Sequence, residues 1–286
     1  MKRRVISAKR LFSTSLIVWG RLYPKRRIPV LLYHSVDRSG SVISIPPQTF
    51  RAQMRYLKYS GYETISLSEY LDYLMDDGEF PEKKVVITFD DGFRNNHTEA
   101  FPVLKKYGFI ATIFISTDHV GKKSSWERDK SIPELPMLTW DQIGEMSDYG
   151  IRFESHACGH CYLSRLSGDE ARDELIRSKT TIERKTGRRV EFFCHPYGDW
   201  SADTKRLAKE CGYKGAFTRP GFSSVSAKED LYDLKRIGTA QFSCLEDFKA
   251  GLLGTYDWYV HLKAHLGIRR FRDLGNGRLK KLGLGG

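Results

Sequence analysis

The chain has 286 residues, of which 40% are hydrophobic, 13% aromatic and 29% charged. This composition is typical of a soluble globular protein, and it excludes a wholly disordered chain, a fibrous protein and a membrane protein with several spans. Five cysteines cannot all pair, and a chain of this length buries enough surface to fold without disulfides. We therefore expect a reducing compartment.

The formal net charge of +12 is concentrated at the two ends of the chain. Residues 1–27 hold nine Lys/Arg and no acid, and residues 263–286 hold seven against one Asp, so the segment between them has a net charge of −3. Basic and aromatic residues interleave at both ends, which favours contact with an anionic membrane over nucleic acid. The sequence has no apolar stretch of spanning length and no signal-peptide cleavage site near its start. We expect a cytoplasmic protein, or one peripheral on the cytoplasmic membrane face.

Short apolar stretches alternate with amphipathic stretches from Ile28 onward. The apolar stretches predict strands over 29–33, 63–65, 84–89, 110–115, 151–154, 190–194, 215–217 and 234–237. The amphipathic stretches predict helices over 47–60, 67–74, 96–107, 141–149, 167–186 and 201–211. About seven such units predict one α/β domain, a distorted (β/α) barrel over 28–243. A basic extension (1–27) precedes it, and a basic, aromatic extension (244–286) follows it.

Polar residues follow four of the predicted strands. His34 follows the first, Asp90-Asp91 and His156 follow two others, and His195 starts a fourth group. The carboxyl ends of parallel strands form the rim on which such barrels build their sites. These residues are therefore the candidates for chemistry.

Two of the histidines have a spacing that allows metal binding. His156 and His160 are four residues apart, so one helical turn would bring both to a common cation. The Glu of a zincin motif is replaced by Ala157, so a third ligand and a base must come from elsewhere. Asp90-Asp91 could supply both, although Asp-Asp-Gly by itself is also a common acidic turn.

Three motifs together resemble the polysaccharide deacetylase domain (NodB homology, carbohydrate esterase family 4). They are Thr88-Phe89-Asp90-Asp91-Gly92, His156-x-x-x-His160 and Pro196-Tyr197-Gly198, supported by Leu138-Thr139-Trp140 and Tyr33-His34-Ser35. The resemblance spans residues 28–239. It implies a NodB-like barrel that removes N-acetyl groups from amino sugars with a divalent metal.

The resemblance also implies roles for individual residues. Asp91, His156 and His160 would hold the metal, which is expected to be Zn²⁺ with Co²⁺ or Ni²⁺ as alternatives. Asp90 would be the general base, and the backbone N–H of Tyr197 would bind the oxyanion.

The general acid and the substrate contacts complete the expected site. His34 would be the acid, as in a subgroup similar to exopolysaccharide deacetylases acting on poly-N-acetylglucosamine, in which the histidine lies at the front. Pro196, Asp199 and Trp200 are candidates for substrate binding. The expected substrate is an N-acetylated glycan or glycolipid, and the sequence does not specify an oligomeric state.

Three features depart from the family pattern. Cys194 stands where the family usually has an Arg that pairs with the base, and Ala157 replaces a Ser or Thr. The final family motif, with a Leu and a His, is not evident.

Three alternatives remain at this point. The departures would also fit a catalytically inactive, carbohydrate-binding barrel. Cys158-Gly159-His160-Cys161 is a dithiol pattern, which would fit a thiol–disulfide oxidoreductase. A glycosidase would need two carboxylates roughly 5–9.5 Å apart, which the adjacent Asp90 and Asp91 do not obviously offer.

Overall fold

The computed structural model describes residues 27–76, 80–126, 134–220, 230–242 and 244–255, together with Ile17. Among these residues, none of the helices combines the length and the apolar character needed to cross a membrane. Most of both basic extensions lies outside the described residues. The predicted membrane contact, cellular location and domain boundaries therefore stay predictions.

Seven parallel strands close into a barrel, as the sequence predicts. They belong to ten strands in the described part of the chain: β1 (Val30–Tyr33), β2 (Ser35–Val36), β3 (Ser44–Ile45), β4 (Glu63–Thr64), β5 (Lys84–Phe89), β6 (Thr112–Ile115), β7 (Arg152–Ser155), β8 (Phe192–Cys194), β9 (Gly215–Pro220) and β10 (Leu234–Gly238). The ring runs β1-β10-β9-β8-β7-β6-β5 and closes because β1 pairs with both β10 and β5. β4 pairs with β5 outside the ring, and β2 pairs with β3.

Helices connect most of these strands. They are α1 (Pro47–Tyr59), α2 (Leu67–Met75), α3 (Phe101–Tyr107), α4 (Trp140–Tyr149), α5 (Gly168–Thr186), α6 (Ala202–Glu210) and α7 (Leu245–Leu252). Capping boxes at Ser66, Thr139, Ser167 and Ser201 begin four of them, because each side chain accepts one of the unpaired N–H groups of the first turn. The predicted helix over 96–107 is a π-helical turn, Asn96–Ala100, followed by α3.

The interior of the barrel is filled by side chains and closed at its N-terminal end. Alternate residues of the strands point inward and form one apolar cluster, whose strand members include Val30, Val86, Phe114, Phe192, Phe217 and Leu234. Leu67, Tyr70 and Leu74 of α2 belong to the same cluster. The Ser68 hydroxyl of this helix donates to Glu191, next to β8, at 2.6 Å. Because α2 closes this end, the C-terminal rim is the open end for a site.

A buried carboxylate joins β7 to β8. Glu154 accepts hydrogen bonds from the backbone N–H groups of Glu191 and Phe192, both at 2.8 Å. Burial raises the pKa of Glu154 to about 8, despite these two bonds. The side chain therefore links the two neighbouring strands.

The described part of the C-terminal extension packs on the barrel domain. The ring of Phe248 in α7 lies edge-on to Tyr56 of α1, with 6.3 Å between their centroids. Arg27 donates to the carbonyl of Gly251 at 3.2 Å, so both ends of the described chain meet beside α7.

Substituting Gly92 by Ala tests how tightly the turn after β5 is packed. Gly92 has φ +84°, and an added Cβ would lie 2.7 Å from Cγ2 of Ile115. We expect a loss of about 2–4 kcal/mol in unfolding free energy, from the left-handed backbone and the overlap together. Gly61→Ala is the matched control, since its φ is +76° with nothing within 4 Å. Equal losses in urea denaturation would contradict the packing argument.

Candidate active site

The register of the barrel brings the predicted residues together at one rim. β1 and β5 pair with Tyr33 opposite Phe89, so the next residues, His34 and Asp90, are neighbours. The backbone N–H of Asp90 donates to the Tyr33 carbonyl at 3.0 Å, which fixes the two strand ends. His34 Nε2 consequently lies 4.0 Å from Asp90 Oδ2.

Asp91, His156 and His160 form a compact buried cluster at this rim. Oδ1 of Asp91 is 3.3 Å from His156 Nε2 and 3.2 Å from His160 Nε2. The potential ligand atoms of all three residues lie within 4.8 Å of one another. One carboxylate and two imidazoles are therefore arranged so that a single ion could contact all three.

The backbone of this cluster is held in an uncommon conformation. Asp91, Ala157 and His160 have φ values of 73°, 62° and 52°. A non-glycine residue in this region costs on the order of 1–3 kcal/mol, and such residues concentrate at functional sites. The surrounding fold thus holds the cluster in a conformation that local preferences oppose.

The two histidines are oriented differently. His156 Nδ1 lies 2.7 Å from the carbonyl oxygen of Cys194. Because a carbonyl only accepts, Nδ1 carries a proton, and Nε2 faces Asp91, so Nε2 is the nitrogen that an ion would contact. For His160 Nδ1, the described residues provide no hydrogen-bond partner.

The three side chains of the cluster differ in the direction of their pKa shifts. Burial would raise the pKa of Asp91, but hydrogen bonds from His156 and His160 outweigh it and hold the pKa well below its usual value. Burial lowers the pKa of His160, which favours the neutral imidazole. Burial would also lower the pKa of His156, but its contacts with Cys194 and Asp91 raise that pKa well above its usual value, so His156 would release a proton when an ion binds. An ionised carboxylate with imidazole nitrogens is a donor set that Zn²⁺, Co²⁺ and Ni²⁺ accept.

A buried arginine holds the second carboxylate. Arg236 donates to Asp90 through both terminal nitrogens, at 2.6 Å to Oδ1 and 2.7 Å to Oδ2. Its side chain is 1% exposed, and its guanidinium lies over the rings of Phe114 and Phe217 at 5.4 and 5.2 Å. Burial would raise the pKa of Asp90, but the charge and hydrogen bonds of Arg236 lower it overall.

Arg236 supplies a cation to Asp90 from a different strand than the family pattern indicates. The family position for Arg holds Cys194, and the cation comes instead from β10, with its nitrogen 3.0 Å from the Cys194 sulfur. That thiol in turn donates to Asp90 at 3.4 Å. The sequence contained one sign of this, since Arg236 has the same parity as the inward-facing Leu234. A charged residue at an inward position of a barrel strand needs a partner.

Tyr197 and its neighbours border the cluster. The Tyr197 ring stacks on Tyr162 with centroids 4.1 Å apart, and lies edge-on to His160 at 4.5 Å. Its φ of 59° places the backbone of the turn in the left-handed region. Tyr197 is 37% exposed, so the side chain reaches the open rim.

The other predicted substrate contacts have partners within the protein. Asp199 accepts from the backbone N–H and the hydroxyl of Ser164, at 2.9 and 2.8 Å. The ammonium of Lys205 lies 3.8 Å from the ring centre of Trp200, and Pro196 is buried. Their roles in substrate binding remain predictions.

The Cys158–Cys161 pattern lacks the features of a redox site. The Arg177 side chain donates to the Cys158 sulfur at 3.4 Å, yet burial keeps the pKa of that thiol above its usual value. Burial raises the pKa of Cys161 to about 12. Reactive dithiols require a lowered thiol pKa, so this geometry does not favour the oxidoreductase alternative.

Removing Arg236 tests its pairing with Asp90. Arg236→Met leaves a buried carboxylate without its cation, so we expect a loss of about 3–5 kcal/mol in unfolding free energy. The double variant Arg236→Met with Asp90→Asn is the control, and it should recover much of that loss because no unpaired charge remains. Urea denaturation of wild type, Arg236→Met, Asp90→Asn and the double variant measures the coupling. Additive losses would show that the two side chains do not depend on each other.

His195 predicts an acid-dependent loss of stability. It is 1% exposed, and burial lowers its pKa to about 4 with a further contribution from His156. The unfolded chain binds this proton below about pH 6.5 and the folded chain only below about pH 4, so stability falls as the pH drops between them, by about 3 kcal/mol in total. His195→Phe should lack this component. If the unfolding free energies of wild type and His195→Phe, measured by urea denaturation, had the same pH dependence, the prediction would be wrong.

Comparison with known proteins identifies similar sequences and a similar fold. A family model described as polysaccharide deacetylase matches residues 77–216, from the segment before β5 into β9. The Bacillus subtilis (strain 168) protein YxkH, named as a candidate polysaccharide deacetylase, is 33% identical over 220 residues, which is 77% of this chain and 74% of YxkH.

Two further proteins are similar. A poly-β-1,6-N-acetyl-D-glucosamine N-deacetylase of Staphylococcus epidermidis is 29% identical over 239 residues, covering 75% of this chain and 80% of its own length. The solved structure of the Streptococcus pyogenes deacetylase PplD, in complex with acetate, superposes with a TM-score of 0.66 and 27% identity, over 74% of this chain and 91% of that one. With the closed seven-stranded barrel, these similarities show that the chain belongs to the polysaccharide deacetylase family.

Proposed function

We propose that this chain removes acetyl groups from the N-acetylated amino sugars of a polysaccharide, with one divalent metal ion bound at the rim of the barrel. The observation that carries the proposal is the convergence of Asp91, His156 and His160 beside an Asp90 paired with Arg236. A merely sugar-binding barrel has no use for two buried carboxylates and two buried imidazoles in contact. This favours an enzyme over an inactive homologue.

Asp91, His156 and His160 would hold the ion. Bound there, a divalent ion would supply Lewis acidity, which polarises the amide carbonyl and acidifies a water molecule. His156 is prepared for this role because its Nδ1 proton is already donated to the Cys194 carbonyl, which orients the ring. We propose Zn²⁺ as the ion, with Co²⁺ and Ni²⁺ as substitutes.

Asp90 would act as the general base. Its pairing with Arg236 keeps the carboxyl group ionised and fixes the plane of the two oxygens. A carboxylate in this state can take a proton from the attacking water, while the buried guanidinium balances its charge. The Cys194 thiol, 3.4 Å from Oδ2, adds a weak donor to the same oxygen.

His34 would act as the general acid. Its Nε2 lies 4.0 Å from Asp90 Oδ2, and the side chain is 25% exposed, so a substrate can reach it. Asn96 fixes the backbone by donating to the His34 carbonyl at 2.8 Å. A protonated imidazole is a suitable donor of the proton that the departing amine needs. The backbone N–H of Tyr197 would stabilise the oxyanion.

The similarity to the Staphylococcus epidermidis enzyme makes β-1,6-linked poly-N-acetylglucosamine the first substrate to test. We expect the full chain to release acetate from its oligomers, and chelation to abolish the release until Zn²⁺, Co²⁺ or Ni²⁺ is restored. Asp91→Ala should remove both activity and the binding of about one ion per chain. The measurements are an acetate assay and metal analysis of the purified protein.

His97→Ala is the control for this experiment. His97 also pairs with a carboxylate, Glu145, at 2.8 Å, but the pair lies between the π-helical turn and α4, away from the cluster. This variant should keep its metal and its activity. Full metal occupancy in Asp91→Ala would overturn the ligand assignment, and metal binding without acetate release from any N-acetylated oligosaccharide would overturn the deacetylase.

A further inference from the structure

The two histidines of the metal cluster differ in what orients them. Histidines that bind metals usually donate their second ring nitrogen to a carbonyl or carboxylate, which fixes the rotation of the ring. His156 follows this rule through the Cys194 carbonyl. His160 is 5% exposed and has a buried Nδ1 for which the described residues supply no partner. Another contact must therefore restrain its ring.

Two aromatic rings contact the His160 ring directly. Trp126 stacks on the His160 ring, with centroids 4.4 Å apart and planes inclined by 28°. Tyr197 contacts the same ring edge-on at 4.5 Å and is itself stacked on Tyr162. His160 is thus held between a parallel ring and a perpendicular one.

The Trp126 side chain and the loop that carries it have contacts of their own. His119 lies edge-on to Trp126 at 4.4 Å. Two residues earlier, Ser124 joins the two sides of its loop, because its N–H donates to the Leu135 carbonyl and its hydroxyl accepts from the Leu135 N–H, both at 2.9 Å. The stacking partner of His160 is therefore anchored by backbone as well as by side-chain contacts.

We propose that Trp126 is a positioning residue for the metal centre, and that its stacking on His160 replaces the missing hydrogen bond at Nδ1. An imidazole that binds an ion through Nε2 can still rotate, and a flat surface against its face limits that rotation. The restraint reduces the ordering needed when the ion binds, so it raises the affinity for the ion. This inference rests on the ligand assignment in the proposed function.

Variants at position 126 test the proposal by metal affinity, without any activity measurement. Trp126→Ala should weaken Co²⁺ and Zn²⁺ binding by about 10–100-fold, the usual effect of losing a group that orients a ligand. Trp126→Phe keeps a flat ring and should stay within about threefold of wild type. Trp126→Leu keeps an apolar side chain without a ring, and it should weaken binding as Ala does. Competition with a chromophoric chelator gives the affinities, and thermal unfolding verifies that each variant is folded.

Tryptophan fluorescence gives a second measurement with a matched control. Co²⁺ quenches indole emission at short range, so Trp126→Phe should lose a large part of the quenching seen in wild type. Trp140→Phe should keep it, because Trp140 lies on α4 beneath Lys185 and away from the cluster.

The outcomes separate this proposal from the function on which it rests. Wild-type affinity in folded Trp126→Ala or Trp126→Leu, or unchanged quenching in Trp126→Phe, overturns the role of Trp126 and leaves the deacetylase intact. Unchanged binding in Asp91→Ala overturns the ligand assignment itself, and the role of Trp126 with it.

Discussion

The ion pair between Arg236 and Asp90 is the constraint around which the rim is organised. Removing a guanidinium and a carboxylate from water is costly, and their attraction compensates only when the geometry is good and the remaining donors are used. Here both terminal nitrogens engage Asp90, and the same two nitrogens also reach Thr88 Oγ1 at 3.2 Å and Cys194 Sγ at 3.0 Å. The pair crosses the interior from β10 to the end of β5, so strand packing and the role proposed for Asp90 depend on the same contact.

Closure of the barrel by β1 explains why His34 lies next to Asp90. β1 lies between β10 and β5, which are distant from each other in sequence. Because Tyr33 pairs with Phe89, the residue after each strand meets the other, and His34 reaches Asp90 without any long loop. A histidine near the start of the chain can thus serve a site whose other groups come from the middle and the end.

Local patterns in the sequence predicted the barrel and most of the rim, since alternating apolar strands and amphipathic helices determine where parallel strands end. Convergence of Asp91 with the two histidines followed from that topology and from the family motifs. Arg236 and Trp126 were missed for a physical reason. Each acts through a partner more than thirty residues away, and neither belongs to a local motif. Arg236 also follows Lys235 directly, so charge alone did not distinguish the inward residue from the outward one.

Cys194 and Arg236 also show why a residue has to be interpreted together with its neighbours on other strands. Cys194 looked like the loss of a functional group when only its own strand was considered. In the folded chain its small side chain leaves room for the guanidinium that enters from β10, and its thiol joins the same contacts. The site therefore keeps its charge balance with a different connectivity.

The closure of the barrel by α2 determines how a long polymer could be handled. Aromatic rings fill the interior, and Leu67, Tyr70 and Leu74 of α2 cover the N-terminal end. The barrel is therefore open at its C-terminal rim only, and no polymer can pass through it. A polysaccharide would have to lie across the C-terminal rim, with one sugar unit reaching the cluster, and it would dissociate from the same side. This mode of binding needs no free end of the polysaccharide, so internal sugar units would be as accessible as terminal ones.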